Sequence, residues 1–206
     1  MTKLFFLYCI FLCILCPGHC NLTEYQQAYQ ASLTLEKNCE YPKALETLQS
    51  IYEKYQEDYD LNFRLGYLSY LNARYESAYQ YWQKAVQLHP GSIESQNWIL
   101  LTLIMMQRWT QAEEYAKNII KQYPTNYYAN IRLAYVYYLQ EKWDNALARY
   151  QIIYTFYPSD LDIRLGLAST YLALGKKDKA KYFYLEILKV SPFHTAAYQG
   201  YCLTIE

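Results

Sequence analysis

The 206-residue sequence is poor in the residues that carry chemistry. It has three histidines, His19, His89 and His194, and no two of them stand near each other in the chain. No H-E-x-x-H, G-x-x-x-x-G-K-[ST] or G-x-S-x-G string occurs. The usual sequence signs of a zinc hydrolase, a phosphate-binding loop and a nucleophile elbow are therefore missing. Glu113-Glu114 is an adjacent pair, best read as solvated helix surface, and no carboxylate spacing suggests a catalytic cleft. The expectation is a protein that is not an enzyme, with no cofactor and no metal. A surplus of either charge is also lacking: 19 basic residues face 19 acidic ones. That balance speaks against a nucleic-acid binder and against a polybasic grip on membranes. A disulfide framework is missing too. Four of the six cysteines, Cys9, Cys13, Cys16 and Cys20, crowd the first twenty residues. Cys39 and Cys202 remain, with no C-x-x-C pair downstream, so zinc and redox motifs are absent there.

Long apolar runs are confined to one place. Leu4 to Cys16 is unbroken, follows Lys3, and ends at Pro17-Gly18. As a helix it would span about 20 Å, short of a hydrocarbon core of about 30 Å. A positive start, a short apolar stretch and a breaker form the pattern of a secretory signal peptide over residues 1–20. The alternative is an uncleaved anchor, which would be the only membrane contact. A lipoprotein signal fits less well, because His19 and Leu15 precede the candidate cysteines. The expected location is outside the cytosol: periplasm, cell envelope or secretory compartment.

What the chain has in excess is tyrosine, 27 residues of it, and a period. Ala44, Ala78, Ala112, Ala146 and Ala180 stand 34 residues apart. Pro90, Pro124, Pro158 and Pro192 keep the same spacing, as do Tyr41, Tyr75, Trp109 and Trp143. Three ladders in phase define repeats 25–58, 59–92, 93–126, 127–160 and 161–194, with a partial sixth over 195–206. Each repeat carries two helix-length apolar patterns. Proline breaks separate the repeats, and Ser92, Asn126 or Asp160 can cap the helix that follows. Pro42 suits a first helical turn, and Thr110 with Glu113 predicts a capping box. Alanine at position 20 lets paired helices approach, and position 17 places an aromatic at their turn. The last stretch, Thr195 to Glu206, reads as a first helix with Tyr198, Tyr201, Leu203 and Ile205 on it. It either folds onto the fifth repeat, awaits a partner, or leads into a longer chain.

A 34-residue helix–turn–helix with a small residue at position 8, Ala at 20, an aromatic near 24 and Pro at 32 resembles the tetratricopeptide family. The second repeat matches with Leu65-Gly66, Ala78, Trp82, Ala85 and Pro90. The fifth matches with Leu167-Ala168, Tyr171, Gly175, Ala180, Tyr184 and Pro192. The third departs, with Leu100 at position 8 and Ala116 at 24; the first has Gln56 in place of Pro. The resemblance covers residues 25–206 and implies an all-α, right-handed solenoid.

It also implies a concave groove lined by positions 2, 5, 9 and 12 of each first helix. The members of that set expected to grip a partner here are Tyr29, Phe63, Tyr67, Tyr70, Asn97, Tyr128, Tyr135 and Tyr138. Asp162, Leu165, Ser169 and Leu172 hold the same positions in the fifth repeat. The Tyr67–Tyr70 and Tyr135–Tyr138 pairs form two similar clusters two repeats apart. They suit a protein or peptide segment gripped by rings and hydroxyls. Packing between repeats is the competing use of the same rings. The Lys/Asn/Asn/Lys/Arg clamp with which some relatives hold chaperone tails is absent; Arg64 and Arg132, at position 6, are the only matches in kind. The implied function is a non-catalytic scaffold in envelope or secretory assembly. A glycan-binding protein of polysaccharide export, or the front of a longer outer-membrane protein, is the alternative.

Overall fold

The computed structural model describes residues 23–205, so the signal-peptide pattern expected over residues 1–20, with its cysteines and His19, lies outside the described residues. The chain forms two compact bodies that divide after Lys54. In the first, α1 (Glu24–Lys37) pairs with α2 (Tyr41–Gln49). Thr23 caps α1 in a capping box with Gln26, and Pro42 occupies the first turn of α2. A single turn, α3 (Tyr52–Tyr55), runs through the point of division.

The second body is a run of nine helices: α4 (Tyr59–Leu71), α5 (Tyr75–Leu88), α6 (Ile93–Met105), α7 (Trp109–Gln122), α8 (Tyr127–Leu139), α9 (Trp143–Phe156), α10 (Leu161–Ala173), α11 (Lys177–Val190) and α12 (Thr195–Ile205). Each packs on the next, and the first helices α6, α8, α10 and α12 also touch in succession. The chain thus stacks helix pairs, each burying the apolar stripe of its neighbour. No strand occurs among the described residues.

The ladders explain the packing. Ala44, Ala78, Ala112, Ala146 and Ala180 are all fully buried. A longer side chain at these buried positions would overpack the core at a cost of roughly 1–3 kcal/mol. At position 17, Tyr75 meets Tyr70 at 5.5 Å and Trp143 meets Tyr138 at 5.0 Å, each closing the turn inside a repeat.

That turn has one geometry throughout. Cys39, Ala73, Gln107, Glu141 and Gly175 all have a left-handed backbone, and all stand at position 15. The next amide reaches back five residues, as from Arg74 to Ser69 and Lys142 to Tyr137. This is the Schellman ending, which satisfies the last carbonyls of the first helix.

The turn between repeats is held by its own device. Asp58, Ser92, Asn126 and Asp160 each accept a backbone amide three residues on, as N-caps. Position 4 then reaches back over the turn. Asn62 donates to the Gln56 carbonyl, Gln96 to Pro90, Asn130 to Pro124 and Arg164 to Pro158, at 2.8 to 3.0 Å. At position 1, Tyr59 bonds Ser92 and Tyr127 donates to Asp160, tying one repeat to the cap of the next.

The predicted capping box of Thr110 and Glu113 does not form. The tight turn at Gln107 starts α7 two residues earlier than that box requires, at Trp109, with Arg108 as an N-cap that makes no side-chain bond. Glu113 instead accepts from Lys117 at 2.6 Å and Lys142 at 2.7 Å. The last helix, α12, packs Ala197 and Gly200 onto its neighbours and leaves Tyr198, Leu203 and Ile205 exposed. Cys39 and Cys202 are both free thiols.

Candidate functional site

Three cavities adjoin along the first helices of the second body. The first, about 430 Å³, lies between α6 and α8, with Glu94, Asn97, Trp98 and Tyr128 in its wall. The second, about 310 Å³, lies between α8 and α10 and is lined by Ile131, Tyr135, Tyr138 and Leu165. The third, about 390 Å³, lies between α10 and α12 and includes Leu172, Gln199 and Leu203. Arg132 lines the first two; Tyr138 and Ser169 line the second and third. Together they make one trough over repeats three to six, its floor largely aliphatic and aromatic. No group of three or more metal-ligating side chains assembles among the described residues.

Of the residues named from sequence, the structure brings Asn97, Tyr128, Tyr135 and Tyr138 to this trough, with Asp162, Leu165, Ser169 and Leu172 of the fifth repeat. Tyr128 is 52% exposed and Tyr135 45% exposed, so both rings present surface to the trough. The others are placed differently. Tyr29 stacks on Tyr25 in α1, within the first body. Phe63 stacks on Tyr59. Tyr67 and Tyr70 both pack against Trp98 of the next repeat, at 5.7 and 5.6 Å, and Trp98 stacks on Trp82 at 5.1 Å. Burial raises the Tyr70 phenol pKa above its usual value.

The two tyrosine pairs differ because of position 6 in the repeat that follows each. After Tyr67 and Tyr70 that position is Trp98, whose ring covers them. After Tyr135 and Tyr138 it is Gly166, which leaves the space open. The glycine is required there: a Cβ on Gly166 would run into the Tyr150 ring, and one on Gly200 into Tyr184. Those rings come from the second helices α9 and α11 and reach the trough floor through the missing side chains. Sequence reasoning missed Tyr150, Tyr184 and the two glycines. The available signal was the position-6 series Arg64, Trp98, Arg132, Gly166, Gly200, which passes from bulky to absent.

Arg132 is the cationic group that lines the trough. Its guanidinium donates to the Asn97 carbonyl at 2.6 Å and lies over the Tyr128 ring at 5.0 Å. Burial pushes its pKa down to about 10, with the tyrosines Tyr128, Tyr70 and Tyr127 acting the other way. It therefore stays charged at neutral pH.

Comparison with known proteins agrees with this architecture. Tetratricopeptide-repeat family models match residues 29–93, 102–160 and 162–194. The chain belongs to the tetratricopeptide-repeat family, whose stacks serve as protein-interaction scaffolds. No curated protein matches the sequence. Among solved structures, a tetratricopeptide repeat protein from Parabacteroides merdae superposes with a TM-score of 0.78 at 16% identity, covering 89% of this chain and 73% of its own. MamA from Desulfovibrio magneticus RS-1 gives 0.69 at 15% identity, over 83% and 95%. YrrB, described as a tetratricopeptide protein with an unusual peptide-binding site, gives 0.66 at 15% identity, over 84% and 89%. At these identities the likeness is one of fold.

Proposed function

We propose that this protein is a non-catalytic scaffold that holds an extended segment of a protein partner in the trough of repeats three to six. The observation that carries this reading is continuity. Three cavities share walls along successive first helices, so one chain can run through all of them. The aliphatic lining, with Ile131, Leu165, Leu172 and Leu203, suits side chains of a peptide better than the faces of sugar rings. A glycan is the second reading, favoured by the exposed rings of Tyr128 and Tyr135. A peptide site in YrrB is a precedent for such use of the fold. The pattern of residues 1–20 supports export, and hence assembly work in a cell envelope or secretory compartment.

The test is capture of partners by wild type and by Tyr135→Ala/Leu165→Ala, alongside arrays of peptides and glycans. Loss of a peptide ligand in the double variant supports the reading. Glycan binding that depends on Tyr135, with no peptide bound, overturns it. Export is checked separately, by sequencing the N-terminus of the protein recovered from cell fractions.

A further inference from the structure

The trough contains a cation without a counter-ion. Arg132 forms no ion pair among the described residues, and its guanidinium donates to a backbone carbonyl. Glu94 and Asp162 line the same cavities but are exposed and do not pair with it. A half-buried charge with no opposite charge is an unfavourable arrangement, and one that a ligand can complete. Beside it lies a second unsatisfied group. The side-chain oxygen of Asn97, a residue only 9% exposed, is buried and accepts no hydrogen bond. Asn97 and Arg132 line the same cavity. The site thus offers a donor fork that seeks an anion, and a peptide supplies one as an acidic side chain.

We infer, building on the peptide-groove reading above, that the occupant carries an internal Asp or Glu on Arg132, with a bulky apolar side chain in the adjoining cavity floored by Tyr150. The acid is internal because the trough continues on both sides of Arg132, toward Trp98 in one direction and toward Ser169 in the other. A chain end would fill only one of them. The apolar side chain follows from Gly166, whose missing side chain opens the second cavity.

The experiment selects random peptides, displayed with both ends covered, on the purified full chain. A selected peptide is then synthesised with blocked ends, beside a copy whose acid is replaced by its amide. Binding of both is measured by fluorescence anisotropy. The expected result is an enriched acidic position next to an apolar one. The acid-to-amide exchange weakens binding to wild type at least tenfold and changes nothing on Arg132→Met. Ser169→Phe, which fills the second cavity, abolishes selection of the apolar neighbour. The ligand-side exchange on wild type gives its answer whether or not Arg132→Met folds. Peptides that need Tyr135 but show no acidic preference overturn this inference and leave the groove standing. So does a requirement for a free C-terminal carboxylate, read from a parallel selection in which the C-terminus is left free. Failure to select any peptide, or selected peptides indifferent to both Tyr135→Ala and Ser169→Phe, overturns the groove and the acidic occupant with it.

Discussion

Position 15 is a place where backbone geometry and residue choice disagree. Cys39, Ala73, Gln107 and Glu141 sit in the left-handed region, each at a cost of roughly 1–2 kcal/mol for a residue with a Cβ. Gly175 makes the same turn without that strain. Glycine gives back some of the gain, since it loses more freedom on folding, about 0.5–1 kcal/mol. Gln107→Gly and Ala73→Gly are therefore each expected to stabilise the chain by about 0.5–1 kcal/mol. Gly175→Ala is expected to cost about 1 kcal/mol. Urea unfolding followed by helical circular dichroism measures both directions. Equal midpoints for Gln107→Gly and wild type would show that the hydrogen-bonded turn carries no strain. The same position shows why this ladder was not legible in the sequence. Five different residues occupy it, and the geometry is imposed by the amides that reach back to the first helix.

Among the elements, the junction between repeats depends on the side chain at position 4. Asn130 is 1% exposed, donates to the Pro124 carbonyl and accepts from the Arg149 guanidinium, so its removal strands both of those groups, while the Asn126 carbonyl keeps the Asn130 backbone amide. Asn130→Ala is expected to cost about 1–3 kcal/mol, the penalty of groups left without partners. Gln96 makes the equivalent bond at an exposed junction, and Gln96→Ala should cost under about 0.5 kcal/mol. A difference of less than that between the two variants in chemical unfolding would remove position 4 from the account of the junction. The elements themselves were readable: alanine and proline ladders placed every helix pair, and Ser92, Asn126 and Asp160 cap the helices expected of them. Thr110 misled because a capping box is a local pattern, while the start of α7 is set by the turn before it. Of the eight groove residues expected from the family frame, Asn97, Tyr128, Tyr135 and Tyr138 line the trough. Which groove positions stay open was not legible, because that depends on whether the ring of the next repeat, Trp98, or the gap at Gly166 lies alongside.

At the scale of the whole molecule the abundance of tyrosine makes the fold sensitive to alkali. Burial pushes the Tyr115 phenol up to about 12. Tyr127 and Tyr150 are pushed higher, Tyr127 by burial and then by its bond to Asp160. A free tyrosine ionises near pH 10. These groups therefore contribute stability that is complete below about pH 10 and is lost as pH rises toward the folded values. The expected outcome is a late-ionising class of phenols whose absorbance change coincides with loss of helix. Ionisation of every tyrosine near pH 10, with the helices intact, would contradict the buried placement of these rings. One further consequence follows from the latch at position 4. Each junction is closed by a bond that spans only six residues, so the information that joins one repeat to the next is carried within the joint itself. The stack is in that sense a ruler with identical divisions. Copying residues 127–160 in frame, with the copied Arg132 changed to glycine where it meets Tyr150, would lengthen the partner it measures by one division.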